Sequence, residues 1–126
     1  MTEEQVEEWL KRGKHDFETA KFLFEEDKYF EIILYHLQQG VEKYLKGLLI
    51  SKGWKLRKIH NLETLLTEAM DHDAQFERYL DLGRELTAFY FEERYPPEPL
   101  PEYSDEEVKK LIDGARELIK FIKDKM

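Results

Sequence analysis

Apolar residues along this chain recur at alternating steps of three and four, the period of an α-helix that buries one face. The first series follows Thr2, which forms a capping-box pattern with Gln5, and predicts a helix to about Glu26. The second predicts a helix from near Tyr29 to Gly53, because glycine is common just past a helix C-terminus. The first half of the chain is therefore expected to be two long helices, with apolar positions at Val6, Leu10, Gly13, Phe17, Ala20 and Phe24, then at Leu34, Leu37, Val41, Leu45 and Leu48.

Three further helices are predicted in the second half. Asn61 is a candidate N-cap for a short third helix. A fourth helix is expected from about Ala74 to just before Pro96, because two successive prolines cannot continue a helix. Ser104 with Glu107 forms a second capping-box pattern, and it predicts the start of the last helix.

The pattern as a whole predicts an all-α protein. No segment of useful length alternates apolar and polar residues, so no strand is expected. Four long helices and one short helix, joined by short turns and one proline-rich loop, are typical of an up-and-down four-helix bundle with one additional short helix. Because 126 residues is the usual length of one domain, we expect residues 1–126 to form a single helical bundle domain.

The second predicted helix contains two glycines, Gly40 and Gly47, which are seven residues apart and share one face. Glycine inside a helix costs about 1 kcal/mol relative to alanine. Two glycines stacked on one face therefore indicate a structural role, the close approach of another backbone. A separate polar face of the same helix carries His36, Gln39, Lys43 and Lys46.

Apolar residues also lie outside the main apolar stripe of this helix, at Ile32, Leu49 and Ile50. A helix that is apolar on most sides is either central or covered on its second side by a partner subunit. Pairs with two-fold symmetry are the commonest oligomers. We therefore expect a homodimer.

Composition and charge exclude several classes of protein. The chain has no cysteine, and its acidic start lacks the layout of a signal peptide, so we expect a cytoplasmic protein without membrane contact. Its net charge of −8 has the wrong sign for a protein coated by nucleic acid. The charge is uneven, however. Residues 42–58 carry six basic side chains and one acid, and residues 92–107 carry seven acids and one base, which permits local anion binding or pairing with a second copy.

Common catalytic and cofactor motifs are absent from the sequence. No histidine follows a glutamate at the Glu-x-x-His spacing of di-iron bundles, so we expect no metal. The glycine-rich phosphate loops are also missing, and no cofactor is expected.

Three ordered motifs carry a resemblance to a known family. The segment 36–49 has the pattern His-x-Gln-Gln-small-x-Glu-Lys-x-Leu-Lys-small-Leu-Leu, His60-Asn61-Leu62 is followed by Leu65, and Tyr90 precedes Arg94-Tyr95-Pro96. Together they resemble the second helix, the His-polar-Leu-x-x-Leu element and the Arg-Tyr-Pro element of HEPN domains. The motifs span nearly the whole chain.

The resemblance implies a dimeric helical bundle associated with nucleotides or nucleic acid. Many HEPN proteins are paired with a small nucleotidyltransferase as two halves of a toxin–antitoxin system. HEPN ribonucleases carry an arginine followed four to six residues later by a histidine. This sequence lacks that spacing, since no histidine follows His72, and Arg12 and Arg57 each precede a histidine by only three residues.

Two functions remain open on this basis. The first is a binding and interaction module that engages nucleotides, nucleic acid or a nucleotidyltransferase partner without catalytic residues of its own. The alternative is a metal-independent ribonuclease in which His36, His60 or Tyr95 replaces the missing histidine. His36 is the favoured candidate for proton transfer because imidazole titrates near neutral pH. The missing motif favours the first.

If a ligand site exists, we expect it where Arg94 and Tyr95 approach the polar face of the second helix. Arginine binds phosphate as a planar fork, lysine supplies a point charge, and tyrosine can stack on a base. The predicted ligand-binding residues are His36, Gln39, Lys43, Lys46, Tyr90, Arg94 and Tyr95. Purely structural interpretations also remain. The polar face of the second helix can be an ordinary solvated surface, and Arg94 can cap the carbonyl groups at the end of its helix without binding a ligand.

Other residues are assigned structural roles. His60 immediately precedes the N-cap Asn61 and can pack against Leu65 as a hydrophobic staple. Pro96 ends the fourth helix. Gly40 and Gly47 complete the predicted structural set.

Overall fold

Helices dominate the computed structural model, which describes residues 2–90 and 102–126. In chain order they are α1 (Glu3–Glu25), α2 (Phe30–Ser51), α3 (Leu62–Met70), a 3₁₀ helix (Ala74–Tyr79), α4 (Leu80–Thr87) and α5 (Asp105–Asp124). No strand occurs in these two ranges, and the predicted all-α class is confirmed. Arg94, Tyr95 and Pro96, with the end predicted for the fourth helix, lie outside the described residues.

The helix starts follow the predicted caps. At α1, the backbone N–H of Gln5 donates to the Thr2 hydroxyl at 3.2 Å, and the backbone N–H of Thr2 donates to the side-chain oxygen of Gln5 at 2.8 Å. Ser104 and Glu107 form the same reciprocal pair at α5, with distances of 3.1 and 3.0 Å. These bonds satisfy amides that have no partner inside the helix. At α3, Asn61 accepts from the Thr64 amide at 3.2 Å.

Helices α1 and α2 both end in a Schellman motif, in which one residue takes a left-handed conformation. After α2 that residue is Gly53, with φ of 93°, and the Trp54 amide donates to the Leu49 carbonyl at 2.9 Å. After α1 it is Asp27, with φ of 54°. The short turn that follows returns the chain directly into α2 beside α1.

The fourth helix differs from its prediction. Its first part, residues 74–79, is a 3₁₀ helix, and the α-helix ends at Thr87, so residues 88–90, which were predicted to be helical, are not. The Thr87 hydroxyl donates to the Gly83 carbonyl at 2.7 Å and accepts from the Leu62 amide at 3.0 Å, which joins the end of α4 to the start of α3. Leaving the helix there brings the Phe89 ring into the core, where it is fully buried.

Helix α2 is central, and most of its residues are buried, whereas α1 fully buries only Gly13 and Ala20. Leu49 is 0% and Ile50 is 6% exposed within this one chain. The interpretation that these two residues need a partner subunit to cover them is therefore wrong, because helices of the same chain surround α2. Ile32, the third residue from which a homodimer was predicted, is exposed, at 37%.

The two long helices approach closely at glycines. A Cβ atom at Gly40 would lie 3.2 Å from the Gly13 carbonyl oxygen, and one at Gly13 would lie 3.1 Å from the Gly40 carbonyl oxygen. At Gly47 the neighbour is the side chain of Leu10, at 2.8 Å. The contact at Gly40 is thus one of backbone with backbone, and it fixes α1 against α2.

Candidate functional site

Two groups of charged side chains lie along α2. We call the first the Asp16 cluster, formed by Asp16, His36 and Lys43, and the second the Glu42 cluster, formed by Gln38, Glu42, Lys46 and His60. Both contain a carboxylate, a lysine and a histidine. They differ in their exposure to solvent.

The Asp16 cluster joins α1 to α2 beside the glycine contact. One carboxylate oxygen of Asp16 lies 2.9 Å from His36 Nδ1, and the other lies 2.5 Å from Lys43 Nζ. The side chains of Asp16, His36 and Lys43 are 14%, 27% and 23% exposed. Because Gly40 lets the two helices meet, Asp16 can reach two residues that lie two turns apart on α2.

The two hydrogen bonds control the ionisation of Asp16. Burial acts to raise the pKa of Asp16, but the bonds from His36 and Lys43 outweigh it and hold that pKa below its usual value. An ionised carboxylate only accepts hydrogen bonds, so His36 Nδ1 donates to it. The other ring nitrogen, Nε2, has no partner among the described residues and is the one available for a ligand or a proton.

Gln38, Glu42 and Lys46 of the Glu42 cluster are almost completely buried, whereas the side chain of His60 is 30% exposed. Lys46 Nζ lies 3.0 Å from Glu42, His60 Nδ1 lies 3.1 Å from it, and Gln38 donates to it at 3.2 Å. Gln38 also donates to the His60 carbonyl at 2.8 Å. The side chains of Glu42 and Lys46 are each 4% exposed. A charge pair removed from water needs these additional hydrogen bonds to be stable, and here it has them.

His60 ties this cluster to the end of α4. Its ring stacks on Tyr90, with ring centres 4.4 Å apart and planes 15° apart. The sequence-based interpretation of His60 was a staple on Leu65, and the polar contact with Glu42 was not part of it. The arrangement connects α2, the loop before α3 and Tyr90, which follows α4.

The predicted ligand-binding residues are thus divided between the two clusters. His36 and Lys43 meet at Asp16, and Gln39, between them on α2, is half-buried and donates to the Gln38 side chain at 2.7 Å. Placing Lys46 on a polar face with them was wrong, because its ammonium points inward to Glu42 and lies 5.6 Å from the centre of the Trp9 ring. Tyr90 is 7% exposed. Arg94 and Tyr95 lie in the undescribed segment.

Sequence analysis missed the two carboxylates that organise these clusters. Asp16 lies next to the small residues Gly13 and Ala20 on the face of α1 that packs on α2, so an inward-facing acid could have been noticed. Glu42 is four residues before Lys46 on a helix, a spacing that favours an ion pair. Both signals were present in the sequence.

Within residues 2–90 and 102–126, no three acidic or histidine side chains converge as a metal site would require. The same residues include no helix that is both long enough and apolar enough to cross a membrane.

Comparison with known proteins identifies the family. A model of the HEPN domain matches residues 6–125, nearly the entire chain. The chain belongs to the HEPN family. This confirms the resemblance carried by the three motifs and agrees with the helical fold.

Individual HEPN relatives extend the comparison. The protein named "Putative toxin MJ1304" of Methanocaldococcus jannaschii is 29% identical, and the alignment covers 92% of this chain and 84% of that one. The crystal structure of ST0689, an archaeal HEPN homologue, superimposes with a TM-score of 0.73 at 27% identity and covers 94% of this chain and 95% of that chain. TT1696 from Thermus thermophilus has the same fold, with a TM-score of 0.78, 24% identity, and coverage of 97% and 98%.

Proposed function

We propose that this HEPN chain is a binding and interaction module of a toxin–antitoxin-type pair, in which it engages nucleotides or nucleic acid and a nucleotidyltransferase partner. Support for the pair comes from the family and from the name of the M. jannaschii relative. Support for the ligand comes from one observation, the Asp16 cluster, whose three side chains each keep some exposure to solvent.

The chemistry of that cluster suits a phosphate-bearing ligand. A lysine ammonium has three donors, so Lys43 can bind Asp16 and still donate to a phosphate oxygen. His36 Nε2 offers a second polar contact beside it. Arg94 would add a planar fork for the same phosphate, and Tyr95 would stack on a base. Lys46 has no part in this proposal, since its ammonium is buried against Glu42.

Fluorescence anisotropy with labelled ATP and a short single-stranded RNA tests the ligand site. We expect affinity to fall as salt rises, because phosphate contacts are electrostatic. Arg94→Ala and Lys43→Ala should each remove most of the binding, and Arg94→Lys should restore only part, since lysine keeps the charge but loses the fork. Lys120→Ala, at an exposed lysine of α5, is the control. If no nucleotide or RNA shows salt-sensitive affinity, the ligand site is wrong.

Partnership and assembly need separate tests. Co-expression with the protein encoded by the neighbouring reading frame should give a stable complex that contains a nucleotidyltransferase.

The chain alone should be a homodimer, and the exposed side chains of Phe22, Tyr29 and Ile32 are the proposed contact. Light scattering at micromolar concentration should therefore give twice the chain mass. A monomer mass would contradict the dimer without affecting the ligand site.

A second function, metal-independent RNA cleavage, is favoured by the contact between Asp16 and His36. A carboxylate on Nδ1 holds a histidine in the tautomer whose Nε2 can accept a proton. In this alternative Nε2 takes the proton of a ribose 2′-hydroxyl as its oxygen attacks the adjacent phosphorus. The bond from phosphorus to the 5′-oxygen of the next nucleotide breaks, and that oxygen takes a proton from water, which leaves a 2′,3′-cyclic phosphate. Cleavage of labelled RNA in EDTA that is lost in His36→Gln and reduced in Asp16→Asn would support it. Equal cleavage by wild type and His36→Gln would refute it.

A further inference from the structure

A groove of about 420 Å³ lies beside the Asp16 cluster, between the first half of α1, the middle of α2 and the loop before α3. The side chains of Trp9 and Leu56 provide its apolar surface, and Leu56 is 38% exposed. The polar residues that line it are Gln5, Glu8, Arg12 and Lys43.

Each polar side chain of this lining is already engaged within the chain. Gln5 accepts from the Thr2 amide, Glu8 pairs with Arg12 at 3.0 Å, and Lys43 pairs with Asp16. Small-molecule sites usually combine apolar walls with a few convergent polar groups that fix the orientation of the ligand. The apolar wall formed by Trp9 and Leu56 suits an apolar side chain, and the spare N–H donors of Gln5, Arg12 and Lys43 can meet polar groups of the same partner.

Unpaired positive charge lies next to the groove instead. Lys55 and Lys58 flank Leu56 in the loop, are exposed, and have no ion partner in the part of the chain that the structure describes. Arg57, between them, is committed to Glu68 at 2.7 Å. Apolar anchors surrounded by a charged rim are characteristic of protein interfaces.

One feature argues against nucleic acid as the occupant. Each of the two tryptophan rings has a face covered by a cation, Trp9 by Lys46 at 5.6 Å and Trp54 by Arg57 at 5.3 Å, which removes faces on which bases would stack.

We propose that this groove docks a short acidic segment of a partner protein, with an apolar side chain between Trp9 and Leu56 and its carboxylates against Lys55 and Lys58. The inference goes beyond the proposed function, because it requires neither a ligand at the Asp16 cluster nor a nucleotidyltransferase. The complementary charges would also steer the partner to the groove.

A designed peptide provides the probe. It is a fluorescein-labelled amphipathic helix of about 14 residues, four helical turns, with leucines on one face and glutamates elsewhere. We expect saturable, salt-sensitive binding that weakens by about tenfold or more in Lys55→Glu/Lys58→Glu, since rim charges on the wrong side repel the partner. Leu56→Ser should weaken it through loss of the apolar wall. Lys120→Glu should leave it unchanged, and circular dichroism should show that all variants fold.

Three results would overturn the proposal. The first is absence of binding by the acidic peptide, and the second is equal binding by wild type and the loop variants. The third is preferential binding, at these lysines, of a single-stranded RNA or of a matched peptide with lysines in place of glutamates. The loop variants should retain the ATP and RNA affinity of the wild type, so failure here and failure at the Asp16 cluster are distinguishable.

Discussion

The Asp16 and Glu42 clusters contain the same three chemical groups but sit in different environments. In each, a carboxylate binds a lysine and the Nδ1 atom of a histidine on or next to α2. In the Asp16 cluster all three side chains are partly open to water. The Glu42 cluster is closed over by α1 and by Gln38, and Tyr90 covers the face of its histidine.

The difference shows that residue type alone does not separate a chemical site from a structural one. Charges withdrawn from water must be compensated in full, so the Glu42 cluster has little freedom to change partners during binding. Charges that keep some contact with water cost less to rearrange, which makes the Asp16 cluster the better candidate for binding a ligand. Burial therefore assigns a structural role to one and a candidate functional role to the other.

Breaking the buried pair should have the largest effect. Glu42→Ala leaves the Lys46 ammonium buried without a counter-charge, and we expect the free energy of unfolding to fall by about 3–5 kcal/mol. Urea denaturation monitored by circular dichroism measures it. Glu8→Ala, which removes an exposed partner of Arg12, is the matched control and should be close to neutral. Similar losses in both variants would mean that burial does not distinguish the two pairs.

Separating α1 from α2 should destabilise the fold at the glycine contact that holds Asp16 against α2. Gly40→Leu should lower the free energy of unfolding by about 1–3 kcal/mol, because the added atoms meet the backbone of Gly13. Gly47→Leu should also destabilise, but less, since the side chain of Leu10 can move aside. Thermal unfolding measures both. An unchanged or raised melting temperature at Gly40 would refute the close contact, since leucine is the better helix former on an open surface.

The two histidines should give opposite results in two assays. His60→Ala leaves Glu42 with one partner fewer, and it should lower the free energy of unfolding by about 1–2 kcal/mol while sparing nucleotide affinity. His36→Ala should reduce nucleotide affinity with a smaller loss of stability. Urea denaturation and fluorescence anisotropy on the same samples test whether His60 acts in stability and His36 in nucleotide binding. Loss of ligand affinity in His60→Ala without loss of stability would reverse our assignment.

The smallest effect concerns pH. A carboxyl whose pKa is depressed on folding adds stability above its unfolded pKa of about 3.9, and that stability is lost as pH falls through the folded value. The pKa of Asp16 is lowered in this way, although its burial opposes the shift. Below about pH 4, the wild type should therefore lose stability more steeply than Asp16→Asn. Parallel curves from urea unfolding would show that the two hydrogen bonds contribute nothing.

The sequence was sufficient for the architecture and insufficient for the site. Helix ends could be predicted at Thr2, Gly53 and Ser104, because each depends on hydrogen bonds between residues close together in the sequence. The end of α4 was not predicted because burial of Phe89, a long-range effect, overrides the local helical pattern there. The local pattern of apolar and polar residues does not indicate where the helix must end for this ring to reach the core.

The candidate site shows the same limit. The helical spacing of His36 and Lys43 puts them on one face, but their shared partner, Asp16, is brought from α1 by the glycine contact. Lys46 follows the same spacing, yet its ammonium turns inward because Glu42 lies one turn earlier on α2. Which way a long side chain turns depends on partners that periodicity does not describe.

The turn after α1 has a consequence for how this protein can evolve. Asp27 holds a left-handed conformation, which costs a residue with a side chain about 1–2 kcal/mol and does not strain glycine. A single change to glycine at this position, remote from both clusters, would relieve that strain. A gain of stability at this one position would offset the cost of a less stable arrangement of surface residues elsewhere in the chain.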